Sequence, residues 1–97
     1  MSDELATAGR GEFGIIVQGI ADDICDMLES KNIDYGDENL SKFGQFGIIV
    51  RCSDKLSRLE HIINSKTNAV GETAEQEWID IAGYAMQAIR LIKANRI

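Results

Sequence analysis

Charged and polar side chains recur at helical spacing in the second half of the chain. The first set has successive separations of three, four and three residues: Arg51, Asp54, Arg58 and His61. The second set repeats these separations: Glu77, Asp80, Tyr84 and Gln87. Because residues three and four apart lie on one face of an α-helix, each set predicts a polar stripe along one helix.

The residue types in these stripes could bind a phosphorylated ligand together with a metal ion. The two arginines of the first stripe have forked guanidinium groups that match the oxygens of a phosphate. Asp54, Glu77 and Asp80 supply the hard oxygen ligands that Mg²⁺ prefers. Tyr84 could stack on a base or form a hydrogen bond with a sugar. The stripes therefore predict a site for a metal–nucleotide complex.

The same residues also fit a purely structural role. Asp54 and Arg58 form an i,i+4 pair, and Arg58 could bridge to Asp80 on a neighbouring helix. Surface ion pairs of this kind contribute about 0–1 kcal/mol. A lone histidine such as His61 is also more typical of a hydrogen-bonded structural residue than of a catalyst. A structural interpretation of the stripes therefore stays open.

Hydrophobic periodicity predicts three helices that would position the stripes. The first runs from about Phe13 to Lys31, the second from about Phe46 to Asn64, and the third from the N-cap Thr73 to about Asn95. Residues 32–39 are rich in loop-forming types, and we expect an ordered loop there. The chain has no proline, which also favours an all-α fold.

A short connection makes the second and third helices antiparallel neighbours. With a turn centred at residue 69, Arg58 would face Asp80, and His61 would face Glu77. The two polar stripes would then meet at the same heights, where helix pairs normally bury apolar side chains.

Apolar residues at helical spacing are expected to form the core. On the third helix they are Ala74, Trp78, Ile81, Ala85, Ile89 and Ile92. Cys25 and Cys52 fall on apolar stripes, so we expect buried thiols rather than a disulfide or a metal pair. On the first helix, the near-continuous run from Phe13 to Val17 is wider than one neighbour can cover, which predicts a homo-oligomer.

Length and charge limit the classes of function. A chain of 97 residues predicts one domain, with a flexible N-terminal tail at 1–11 and a single all-helical domain at 12–97. The formal net charge of -6 argues against a binder of duplex nucleic acid. No long apolar run predicts a membrane span, and the acidic N-terminus does not resemble a signal peptide. A cytoplasmic location is expected.

Three short motifs along the chain point to a known family: Lys31 followed by Asp34-Tyr35-Gly36, Arg51 with Asp54-Lys55 and Arg58, and Glu77 with Asp80 and Tyr84. Over residues 12–94 they resemble the phage and bacterial nucleotide modification associated domain family, which is thought to be related to the MazG-like all-α nucleotide pyrophosphohydrolases. The resemblance implies a MazG-like bundle of three main helices that is completed by oligomerisation and handles nucleotides.

MazG-like enzymes hydrolyse the α–β phosphate linkage of nucleoside triphosphates with Mg²⁺. They hold the metal with an ExxE motif on one helix and an ExxD motif on the next. The segment from Glu77 to Asp80 matches the second motif. The segment from Arg51 to Asp54 stands where the first motif would be and keeps one carboxylate. Loss of a ligand weakens a catalytic metal site, whereas nucleotide binding stays plausible.

The resemblance therefore leads to three hypotheses. In the first, Asp54, Glu77 and Asp80 bind Mg²⁺ and activate water in a pyrophosphohydrolase. The ligand-binding residues would be Lys31, Tyr35, Arg51, Lys55, Arg58 and Tyr84. In the second, the protein binds and sequesters a nucleotide or a nucleotide-derived signal without chemistry, as an anti-defence protein. Under any of the hypotheses, the location would be the host cytoplasm if the chain is phage-encoded. In the third, the bundle is structural or binds a partner protein.

Overall fold

The computed structural model describes residues 10–65 and 73–97, except for the side chains of residues 33–35. These ranges are helical and contain no strand. The described ranges contain three helices: α1 (Glu12–Ser41), α2 (Gly44–Ser65) and α3 (Ala74–Lys93). The predicted all-α class is thus confirmed. Most of the predicted N-terminal tail and the assumed turn centre at residue 69 lie outside the described residues.

Helix α1 continues well beyond its predicted end. The prediction of a loop at 32–39 is wrong, because this stretch is helical on both sides of Gly36. Gly36 has φ 71° and ψ 168°, a conformation that is essentially restricted to glycine. The chain therefore changes direction at a single residue, and the helix resumes without a loop. The hydroxyl of Ser41 donates to the carbonyl of Asp37 at 2.9 Å within the resumed segment.

Both ends of α3 have local signals that explain its bounds. Thr73 is the N-cap, and its side-chain oxygen accepts a hydrogen bond from the backbone N–H of Gln76 at 3.2 Å. At the other end Asn95 adopts φ 56°, and the N–H of Arg96 donates to the carbonyl of Leu91 at 2.9 Å. This is a Schellman-type C-terminus.

The apolar core of the described residues is small. Its buried hydrophobic side chains are Ile24, Ile48, Leu59 and Leu91, so each helix contributes at least one. Gly83 on α3 is also buried, where a Cβ would lie 3.2 Å from Met27 and 3.3 Å from Leu28 of α1. The absence of a side chain at Gly83 thus lets α1 and α3 approach closely.

The predicted core face of α3 is largely exposed. Trp78 is 55% exposed, and Ile89 and Ile92 are also exposed, whereas Glu77 from the polar stripe is buried. Cys25 is likewise exposed rather than buried, and Cys52 is partly buried. These predictions were wrong because periodicity identifies an apolar face but not the surface that covers it.

Helix α1 has the same excess of apolar surface. Phe13 is 82% exposed, and Ile15, Ile16 and Val17 are about half exposed. The radius of gyration is 15.8 Å, compared with about 13 Å for a compact domain of 100 residues. The single chain therefore leaves much apolar surface in contact with solvent. No helix in the described ranges is both long enough and apolar enough to cross a membrane.

The close approach at Gly83 yields a stability prediction. We expect Gly83→Val to lower the free energy of unfolding by about 1–3 kcal/mol, because added methyl groups would overpack the contact with α1. Gly19 is exposed on α1 and has nothing within 4 Å of a Cβ position, so Gly19→Val is the matched control. Chemical denaturation followed by circular dichroism measures both variants. Equal effects would contradict the assignment of Gly83 as a packing position.

Candidate functional site

Five charged side chains from all three helices meet beside the contact between α2 and α3. Lys55 of α2 lies at their centre, with its Nζ 2.9 Å from Oδ2 of Asp80 and 3.7 Å from Oε2 of Glu77. Nη1 of Arg58 lies 3.9 Å from Oε1 of Glu77. From α1, Nζ of Lys31 lies 3.8 Å from Oδ1 of Asp80. These five residues are called the ion-pair cluster below.

The pairing between α2 and α3 differs from the predicted one by three residues. Arg58 faces Glu77 rather than Asp80, and Lys55 rather than Arg58 contacts Asp80. His61, which was expected opposite Glu77, is exposed. The prediction was wrong because it assumed the turn centre, and the connection itself lies outside the described residues. Of the predicted stripe on α2, Arg58 contacts the stripe on α3, whereas Asp54 and His61 are exposed.

The carboxylate of Glu77 is the most buried group of the cluster. Its side chain is 0% exposed, compared with 11% for Asp80 and 19% for Lys55. Removing a carboxylate from water has a large free-energy cost unless cations compensate it. The ammonium of Lys55 and the guanidinium of Arg58 provide this compensation from α2. The ion-pair cluster therefore joins one fully buried carboxylate to cations that are partly buried or exposed, such as Arg58 at 56%.

Both partners of the shortest ion pair are held in their charged forms. Burial alone would raise the pKa of Asp80, but the hydrogen bond and charge of Lys55 outweigh it. Hydrogen bonding from Gln76 at 3.1 Å and the charge of Lys31 act in the same direction, so the pKa lies below its usual value. Burial would lower the pKa of Lys55, yet its hydrogen bond to Asp80 and the two carboxylate charges raise it.

A pocket of about 330 Å³ adjoins the ion-pair cluster and is lined by all three helices. Lys31 of α1 and Arg51 of α2 provide its cations. Tyr84 of α3 provides an aromatic ring, and Asp80 belongs to both the pocket and the cluster. This volume lies at the lower end of the range for small-molecule sites, which is about 300–1,000 Å³.

Amide side chains complete the lining of the pocket. Asn32 and Asn39 come from the two sides of the Gly36 break in α1, and Gln87 comes from α3. Each amide can donate and accept hydrogen bonds, as recognition of a base or sugar requires. Sequence reasoning missed the two asparagines as site residues because it treated 32–39 as a loop. The loop-forming residue types of this stretch gave no signal that would have placed them.

A further contact ties the resumed segment of α1 to the end of α3. Asp37 accepts hydrogen bonds from Nη2 of Arg90 at 2.7 Å and from Nη1 at 3.1 Å. Nη1 of Arg96 lies 3.5 Å from the same carboxylate. The hydrogen bond from Arg90 lowers the pKa of Asp37 despite some burial, with help from both arginine charges. This bidentate pair fixes the segment that carries Asn39 against α3.

The structure gathers most of the predicted site residues. Those in the pocket or the ion-pair cluster are Lys31, Arg51, Lys55, Arg58, Glu77, Asp80 and Tyr84. Asp54 is exposed on α2 and forms none of the ion pairs that define the cluster. The side chain of Tyr35 lies outside the described part of the chain.

The Mg²⁺ implied by the family resemblance needs several oxygen ligands around one point. Glu77 and Asp80 do lie together, but both carboxylates are in contact with the ammonium of Lys55. Within the described ranges, no group of three or more His, Cys, Asp or Glu side chains could hold a metal ion. The residues present in this arrangement therefore do not fit a three-carboxylate Mg²⁺ site.

Comparison with known proteins adds no relative: no family model matches the chain, and neither a curated protein nor a solved structure matches it. Membership of a MazG-like family thus stays a prediction from the short motifs.

The charge state of Asp80 leads to a prediction about acid stability. Because its folded pKa is below its usual value, its contribution to stability is complete above the unfolded pKa, about 3.9. The contribution is lost as the pH falls through the folded value. We expect Asp80→Asn to be less stable than the natural protein at pH 7 and to lose less stability on acidification below pH 4.

Urea denaturation at pH 7 and at several values below pH 4 measures this difference. Asp22→Asn is the matched control because it removes an exposed carboxylate on α1. It should follow the acid profile of the natural protein. Parallel acid profiles for Asp80→Asn and the natural protein would show that the ion pair with Lys55 does not stabilise the fold.

Proposed function

We propose that this chain binds a phosphorylated nucleotide in the pocket between its three helices. One observation is the main support: two cations, Lys31 and Arg51, and the aromatic side chain of Tyr84 line the same pocket. A nucleotide combines the same chemical features, an anionic phosphate joined to an aromatic base through a polar sugar. Cations would bind the phosphate, while the ring and the amides would contact the nucleoside.

The roles of the two cations differ. Arg51 presents a planar fork that matches two phosphate oxygens at once. Lys31 is a point charge whose side chain is 54% exposed, so an incoming anion can reach it. A volume of about 330 Å³ suits a nucleoside with a phosphate better than a dinucleotide. Additional phosphates would extend past Lys31 toward the ion-pair cluster.

Local charge also supports a small anionic ligand in a protein with a net charge of -6. Pocket and cluster together contain four cationic side chains and two carboxylates. The excess of positive charge is confined to a small concave site. It can therefore attract a small anionic molecule, whereas a nucleic-acid duplex would need positive charge along an extended surface.

Removal of the forked cation tests the proposal. We expect Arg51→Gln to weaken nucleotide binding at least tenfold, because a hydrogen bond to a charged group is worth about 1.5–3 kcal/mol. Arg10→Gln is the control: it removes the same charge from an exposed residue that precedes α1. Isothermal titration calorimetry with nucleoside mono- and triphosphates and cyclic nucleotides measures both. Equal affinities in the two variants, or no binding by the natural protein at millimolar nucleotide, would refute it.

Hydrolysis of the bound nucleotide is the second candidate function. It is favoured by the adjacency of Glu77 and Asp80, which share one face of α3 and match the ExxD motif. Mass spectrometry of the nucleotide after incubation distinguishes the two candidates. Recovery of an intact ligand supports binding alone. Conversion of a triphosphate to a monophosphate with Mg²⁺, but not with a chelator, would instead identify a pyrophosphohydrolase.

We also propose that the chain forms a homo-oligomer through its exposed apolar surface. The N-terminal half of α1 exposes Phe13 and Ile16. Beside it, a groove of about 830 Å³ between α1 and α3 is lined by Ile20, Trp78 and Ile79, among others. Continuous apolar surface of this kind is typical of interaction sites, and a second copy of the chain offers a matching surface.

Sedimentation velocity tests self-association directly. We expect the natural protein to sediment as an oligomer at micromolar concentration and Phe13→Asp to shift it toward the monomer. Phe13 is almost fully exposed, so this substitution should leave the isolated fold intact. Ser30→Asp adds the same charge to an exposed position of α1 and is the control. A monomeric natural protein would rule out the interface.

A further inference from the structure

We propose that Lys55 is the resident cation of the site: its ammonium replaces a divalent metal ion beside Glu77 and Asp80, so that the phosphorylated ligand is bound without Mg²⁺. The first part concerns the chain alone. The second part rests on the proposed nucleotide binding. The sequence predicted Lys55 as a phosphate ligand; in this proposal it is instead the cation shared by the two carboxylates.

The geometry of the three side chains supports this role. Nζ of Lys55 is 2.9 Å from one carboxylate and 3.7 Å from the other, so one cation serves both. Its side chain is 19% exposed, and the carboxylates of Glu77 and Asp80 are 0% and 11% exposed. The ammonium of Lys55, a residue of α2, therefore lies in a partly buried position.

A divalent ion would have to displace this ammonium. Mg²⁺ requires oxygen ligands at about 2.0–2.1 Å in near-octahedral geometry, whereas the contacts of Lys55 are those of a hydrogen-bonded ion pair. An ion at this position would also be repelled by the neighbouring charges of Arg58 and Lys31. A covalently attached cation is present at any metal concentration, so a positive charge lies beside the carboxylate pair before a ligand arrives.

The remaining charge explains why the ligand needs no metal. Lys31, Lys55 and Arg58 outnumber the two carboxylates of the ion-pair cluster by one. Arg51 adds a further positive charge in the adjoining pocket. The site can therefore attract a phosphate with its own side chains. A site made of carboxylates alone would need a bound metal ion to do so.

Titration of the ligand-free protein with Mn²⁺, followed by electron paramagnetic resonance, tests the first part. The natural protein should show no saturable site up to millimolar Mn²⁺. Lys55→Glu replaces the ammonium with a third carboxylate at the same place and should gain one site that binds at least tenfold more tightly. Lys93→Glu makes the same charge change at the far end of α3 and should behave like the natural protein.

Circular dichroism with and without Mn²⁺ accompanies the titration, because three carboxylates can destabilise the fold. Folding of Lys55→Glu that depends on Mn²⁺ would support the proposal. If this variant stays unfolded, Lys55→Gln decides: a gain of Mn²⁺ affinity over the natural protein supports a displaced cation, and no gain overturns it. Stoichiometric Mn²⁺ binding by the natural protein that is lost in Asp80→Asn would also overturn it.

Affinity for nucleoside monophosphates, measured in Mg²⁺ and in chelator, tests the second part. We expect the two values to agree within about twofold for the natural protein. A tenfold loss in chelator would overturn metal-free binding. Absence of binding in both conditions would refute the proposed function instead, and the Mn²⁺ titration would still decide the role of Lys55.

Discussion

The burial of one carboxylate constrains the arrangement of the helices. Glu77 is completely removed from solvent, and the two cations that compensate it come from α2. In the alignment expected from the sequence, which differs by three residues, Glu77 would face His61 instead of Arg58. A slip of four residues would place Glu77 opposite Asp54 or Ile62, and neither side chain can compensate a buried carboxylate. A slip of three residues the other way would place Lys55 there and keep one cation. We therefore interpret the ion-pair cluster as a feature that favours the observed alignment over most of its neighbours.

Local signals made much of the fold predictable from the sequence. The bounds of α2 and α3 follow from apolar spacing and from the N-cap Thr73, and the structure confirms them within about two residues. The interruption at Gly36 was misjudged because loop-forming residue types also occur in a helix that resumes after one glycine. Exposure of Trp78 was not predictable in the same way, since it depends on which surface meets which neighbour.

The site was predictable in composition but not in its pairing. Arg51 and Arg58 are seven residues apart, which is about two helical turns. Both Asp54 and Lys55 lie one turn from each of them, so either residue fits the same helical face. Spacing alone could not decide whether Asp54 or Lys55 meets α3. In the structure Lys55 meets α3. Glu77 and Asp80, which the sequence predicted as metal ligands, instead form ion pairs with Lys55.

The bidentate contact between Asp37 and Arg90 bears on the order in which the molecule assembles. These residues are 53 positions apart, whereas the contact of Lys55 with Asp80 closes a chain segment about half as long. Closing the longer segment costs about 0.7 kcal/mol more in chain entropy. The contact between Lys55 and Asp80 therefore forms at a lower entropic cost than the contact between Asp37 and Arg90. Since the pocket includes the segment of α1 that Asp37 holds against α3, we expect the pocket to acquire its shape only with the longer closure.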